Sequence, residues 1–210
     1  MRCAVGLRNL LRYFHEQDIK LLVPRRWPDR QDPEKRAAYM AVMQQILSEQ
    51  SNEVWFGDEC GIEGDPRPRR RWAKRGSRPR VPMTQAHLRI NVAGAVCPSS
   101  GKAFALTIPY ADTESFQVFI DEFVKSHPPT ANRQILLVLD NASWHKPKRL
   151  NWHHIKPLYL PPYSPDLNPI EILWKVLKDR FFSDWYAKTL EQLEERVCAS
   201  HTKKLIAKTG

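Results

Sequence analysis

The sequence predicts a mixed α/β sheet flanked by helices, and three observations carry that prediction. Apolar runs of strand length alternate with amphipathic segments of helix length in the order strand, hairpin, helix, strand, strand, helix. The run "QILLVLD" at 134–140 is continuously apolar up to its final carboxylate, as suits a central strand buried on both faces. The stretches "HLRINVAGAVC" and "KAFALTIPY" are separated by "PSSG", which reads as a hairpin.

The elements follow in chain order. Residues 1–31 hold an apolar-periodic segment (Leu7, Leu10, Leu11, Phe14) and then the strand-like "DIKLLVPRRWPDR". Asp32 before Pro33 is an N-cap followed by a first-turn proline, and Met40, Met43 and Leu47 recur at helical spacing, so 33–49 is expected to be a helix. It leads into the strand "EVWFGDE" (53–59), after which an arginine-rich stretch to residue 80 reads as an exposed excursion. Beyond the hairpin, 112–127 is a capped helix with Phe116, Phe119, Ile120 and Phe123 on one face. "IKPLYLP" is a further short strand, and 169–182 and 189–199 are helices, the latter with Leu190, Leu193 and Val197 on its apolar side. One main domain is expected over 32–200, with 201–210 as a tail.

A formal net charge of +10, concentrated in "RPRRRWAKRGSRPR" and "HKPKRL", predicts a polyanion partner, and nucleic acid is the commonest of these. The four cysteines are far apart and form no C-x-x-C pair, which excludes a zinc ribbon or a disulfide framework and fits a reduced cytoplasm. No apolar run is long enough to span a membrane.

Three carboxylates stand out. Asp58 closes "VWFGD" and Asp140 closes "ILLVLD"; if those strands are parallel neighbours, both acids emerge at the sheet end where open α/β sheets bind ligands. Either one alone could be an ordinary turn aspartate. Glu171 follows "LPPYSPDLNP", a segment stiffened by Pro161, Pro162, Pro165 and Pro169. Asn168, Pro169 and Glu171 could form a capping box, and Lys175 could pair with Glu171 one turn on, but a capping box needs no such rigid approach. Three converging carboxylates repel one another, and two magnesium or manganese ions about 4 Å apart would relieve that repulsion and serve phosphoryl transfer.

The blocks "VWFGDECGI", "RWAKRGSRPRVP", "ILLVLDNASWH" and "LPPYSPDLNPIEILWKVLK" resemble the signature blocks of bacterial insertion-sequence transposases of the mariner-related DDE superfamily, over about residues 33–200. The resemblance implies an RNase H-like mixed sheet of about five strands and two-metal cut-and-paste transposition of double-stranded DNA, joining transposon ends to a target. It further implies a homodimer on DNA in the nucleoid of a bacterial cytoplasm. By position, Asp58, Asp140 and Glu171 match the metal-binding catalytic acids. Asn141, His145 and Asn168 would support them. Arg69, Arg70, Arg71, Trp72, Lys74, Arg75, Gly76, Arg78, Lys146, Lys148, Lys175 and Lys178 would contact DNA or clamp a second subunit. Residues 1–31 resemble the last helix and wing of a helix-turn-helix reader. A catalytically silent DNA-binding remnant and an RNase H-type nuclease remain the rival readings.

Overall fold

The computed structural model describes residues 6–20, 30–68, 70, 72–83 and 86–202. The segment 21–29, which holds most of the expected N-terminal strand, and Arg69 and Arg71 of the basic stretch lie outside the described residues.

A five-stranded sheet in the order β3-β2-β1-β4-β5 forms the centre. Its strands are β1 (Asn52–Glu63), β2 (Arg89–Cys97), β3 (Lys102–Ile108), β4 (Gln134–Leu139) and β5 (Ile155–Tyr159). The hairpin pairs β2 with β3 antiparallel, β2 also runs antiparallel to β1, and β1, β4 and β5 are parallel. Among the described residues there are five α-helices: α1 (Leu7–Glu16), α2 (Pro33–Ser48), α3 (Thr113–Ser126), α4 (Ile170–Phe181) and α5 (Leu190–Thr202).

Alternation along β1 and β4 divides the core. Trp55, Ile135, Leu137 and Leu139 face α3, where Phe116, Phe119, Ile120 and Phe123 are buried as expected. Phe123 meets Trp55 edge-on at 5.0 Å and Phe104 at 5.4 Å between ring centroids, a favoured aromatic geometry. Val54, Phe56, Leu136 and Val138 point the other way, toward α2, and farther along that face Cys60, Ile62 and Val92 pack with α4 and α5. Asp112 caps α3 by accepting the Ser115 N–H at 2.8 Å. Replacing Asp112 by Ala should lower stability by about 1 kcal/mol, read as a shift in the urea midpoint with unchanged slope.

Two helices turn differently from expectation. In α2 only Met43 is buried; Tyr39 and Ile46 complete its inward stripe, and Met40 and Leu47 face outward. The helix is apolar nearly all round, so its spacing admits either stripe. In α5 the buried residues are Leu193, Val197 and Ser200, and Leu190 lies outside the stripe. Strand β1 runs four residues past its expected end. It pairs with β4 only from Asn52 to Phe56, whereas its pairing with β2 continues from Phe56 to Glu63. Beyond the parallel strands the sheet therefore narrows to β1, β2 and β3, of which β1 and β2 alone pair at Ile62 and Glu63, and the basic stretch leaves from that end. No residue of α1 is buried, and among the described residues no helix is long and apolar enough to cross a membrane.

Candidate active site

Parallel pairing of β1 and β4 in the register Phe56 to Val138 places Asp58 and Asp140 at matching positions, each two residues past that pair. Both belong to the alternation series that faces α2 and α4. Glu171 enters in the first turn of α4. The three acids feel one another: burial first, then the charges of Glu171, Glu59 and Asp140, push Asp58 up to about 7.

The capping alternative for Glu171 is not realised. The Asn168 N–H goes to the Pro165 carbonyl at 2.9 Å, so it is not left for Glu171 to accept. The Asn168 side chain is buried and donates to the Gly57 carbonyl at 3.1 Å, tying the proline loop to β1 immediately before Asp58. Nor does Glu171 pair with Lys175 among the described residues. Asn141 makes a similar tie, its amide donating to the Leu160 carbonyl.

His145 is fully buried in a 3-10 turn, Ser143–His145, against the Phe116 ring at 4.3 Å. Its Nε2 lies 2.9 Å from Glu59 Oε1. Its Nδ1 lies 2.9 Å from Asp140 Oδ1 without the alignment of a hydrogen bond, so that contact is electrostatic. Burial alone would lower the His145 pKa, but Asp140 and Glu59 outweigh it and raise it to about 9. The imidazolium in turn holds Asp140 below the usual carboxylate range, helped by the Ala142 N–H at 2.9 Å.

Glu59 and Trp174 carry no site role in the sequence reading. Glu59 is on the opposite face of β1 from Asp58, and it reaches the site through His145. Trp174 follows Glu171 by one helical turn and donates its indole N–H to Asp58 Oδ2 at 3.2 Å. Gly94, opposite Asp58 in β2, makes room for that ring, because a Cβ there would stand 2.6 Å from the indole. Gly94→Val should displace the indole from Asp58 and lower any activity of this site roughly a hundredfold, in line with catalytic groups misplaced by about 1 Å. Steady-state kinetics beside a thermal melt would check it.

The basic residues divide. Arg70, Trp72, Lys74, Arg75, Gly76 and Arg78 are exposed in irregular backbone, Trp72 completely so. Lys146, Lys148 and Lys175 are also exposed. Lys178 instead turns inward and reaches the Cys60 thiol.

Hard carboxylate donors and their mutual repulsion fit a divalent cation. Among the described residues no three such side chains already form a closed metal-holding group, so the acids would have to draw together around an ion.

A carboxylate pair on neighbouring parallel strands, completed by a glutamate from the next helix across an RNase H-like sheet, defines a catalytic domain of the DDE type. The family described as DDE superfamily endonuclease matches residues 53–194, and the chain belongs to that family. It is 30% identical over 175 residues to the "Insertion element IS630 uncharacterized 39 kDa protein" of Shigella sonnei, covering 79% of this chain and 50% of that one. It is 38% identical over 111 residues to "Uncharacterized protein y4pE/y4sA" of Sinorhizobium fredii, covering 52% of this chain and 81% of that one. Among solved structures, the Mos1 transposase paired-end complex with left transposon end superposes with a TM-score of 0.69 at 14% identity, over 95% of this chain and 64% of that one. The Mos1 mariner paired-end complex is also solved with Mg and with Mn. The chain thus spans about half the length of the Shigella relative.

Proposed function

We propose that this chain is the catalytic domain of an insertion-sequence transposase that cuts double-stranded DNA at transposon ends and joins them to a target, using two Mg2+ or Mn2+ ions. The observation that carries the reading is the matched placement of Asp58 and Asp140, each two residues past the last parallel pair of β1 and β4, with Glu171 close enough for its charge to raise Asp58. When bound, the ions would activate an attacking oxygen and stabilise the leaving one on phosphorus. Asp58, Asp140 and Glu171 would hold them. Trp174 fixes one oxygen of Asp58 and leaves the other for a ligand, and His145 keeps Asp140 ionised. Asn168 and Asn141 hold the proline loop against the strands.

The exposed basic stretch around Trp72 would bind DNA phosphates or a second subunit, in a homodimer assembled on DNA. Its charges would make binding steeply dependent on salt.

Glu171→Gln supplies the test. Glutamine keeps the shape of the side chain but is a poor ligand for a hard cation, so nicking of duplex DNA in Mg2+ should fall by a factor of roughly a thousand with an unchanged melt. Wild-type activity in that variant would overturn the assignment, and hydrolysis of an RNA:DNA hybrid without strand transfer to DNA would mark a nuclease instead.

A further inference from the structure

Beside Asp140 the end of β4 and the proline loop enclose a half-open cavity of about 410 Å3, within the usual range of roughly 300–1,000 Å3 for small-ligand pockets. Its walls include Trp144, Leu160, Pro161, Tyr163 and Asn168, and Asp140 is common to it and to the carboxylate site.

Tyr163 is held there in an unusual way. Its φ is +57°, in the left-handed region that a bulky residue seldom adopts, yet its side chain gains no core from it and is 54% exposed. The loop is pinned from α2 and from Gln31, two residues ahead of that helix. Gln31 donates to the Tyr163 carbonyl at 2.8 Å, and Arg36 grips both oxygens of Asp166 at 3.0 and 2.7 Å. Strain of this kind persists where the surroundings over-determine it, and it concentrates at ligand sites. A glycine would satisfy the same backbone without strain, so the ring itself needs a reason. Trp144, half-buried, supplies a second aromatic side chain to the same wall.

We infer that this cavity receives one unstacked nucleobase of the DNA strand next to the phosphate under attack, with Tyr163 as the stacking face. The inference rests on the DNA-cleavage reading and adds a base subsite to it. Aromatic rings bind bases of any identity through their π-faces, so the pocket would orient the strand without reading sequence. The rigidity of the proline loop then serves the ring as well as Glu171.

A fluorescein-labelled oligothymidylate carrying 5-bromodeoxyuridine tests this, with binding followed by anisotropy, photo-cross-links mapped by mass spectrometry, and duplex nicking in Mg2+ assayed in parallel. Cross-links should fall on Tyr163 or Trp144. Tyr163→Gly should weaken binding of the oligonucleotide about tenfold with no loss of thermal stability, and Tyr163→Phe should restore it. Cross-links confined to the Trp72 region, or a Tyr163→Gly protein that binds as tightly as wild type, would overturn the pocket while leaving cleavage intact. Absence of both nicking and binding would remove the DNA reading and the pocket together.

Discussion

Asp58→Asn is expected to abolish DNA cleavage and, in the same protein, to raise the melting temperature of the metal-free chain at pH 8. The loss follows from removing a hard-cation ligand, roughly a thousandfold or more in rate. The gain follows from the environment of Asp58, whose pKa is pushed by burial and by Glu171, Glu59 and Asp140 from 3.8 to about 7. Between those values the folded chain keeps a proton that the unfolded chain releases, so stability falls as pH rises from about 4 to about 7 and is level above. Three pKa units correspond to about 4 kcal/mol as an upper figure, hence a rise of several degrees in a domain of this size. Asparagine cannot ionise and still accepts the Trp174 N–H. Calorimetry in EDTA at pH 4.5 and pH 8 should show wild type losing stability across that interval and the variant not. Mg2+ should return stability to wild type alone. Equal pH dependence in both proteins would mean that Asp58 is not the strained acid.

His145→Ala should destabilise the fold by about 3–5 kcal/mol, the usual cost of breaking a buried ion pair. The side chain is fully buried, Glu59 is only 10% exposed, and removal strands the Glu59 carboxylate beside a void under Phe116. Because the folded pKa of His145 is raised from 6.5 to about 9, its stabilisation is complete below 6.5 and disappears as pH passes through 9. The destabilisation measured by urea unfolding at pH 6 should therefore shrink at pH 10. A double variant, His145→Ala with Glu59→Ala, should recover part of the loss, since no unpaired buried charge remains. An additive double variant would place the two residues outside a common network.

Local pattern carried much of this architecture. The apolar run before Asp140, the PSSG turn of the hairpin and the phenylalanine stripe of α3 are short-range features, and their elements lie where the sequence puts them. Asp58 and Asp140 were legible as a pair because each ends an apolar run, and parallel pairing of β1 with β4 brings them level. Contacts that need register across the chain were not legible. Trp174 meets Asp58 from 116 residues away, and Glu59 meets His145 from 86 residues away. Gly94 reads as a plain strand glycine until the indole beside it is seen. The inward stripe of α2 was ambiguous for a different reason: with Tyr39, Met40, Val42, Met43, Ile46 and Leu47 spread around the helix, only the tertiary contact selects a face.

The antiparallel part of the sheet, where β1 outruns β4, has a metric consequence. Five residues separate Asp58 from the end of β1 at Glu63, which at about 3.4 Å per residue is roughly 17 Å. Duplex DNA advances about 3.4 Å per base pair, so under the proposed function this extension would span about five base pairs. A phosphate held by the basic stretch at its far end would then lie half a helical turn from the one being broken, across the width of one groove. Shortening β1 and β2 by two residues each, with their pairing preserved, should move that grip about two base pairs closer to the cut, a displacement that footprinting can measure.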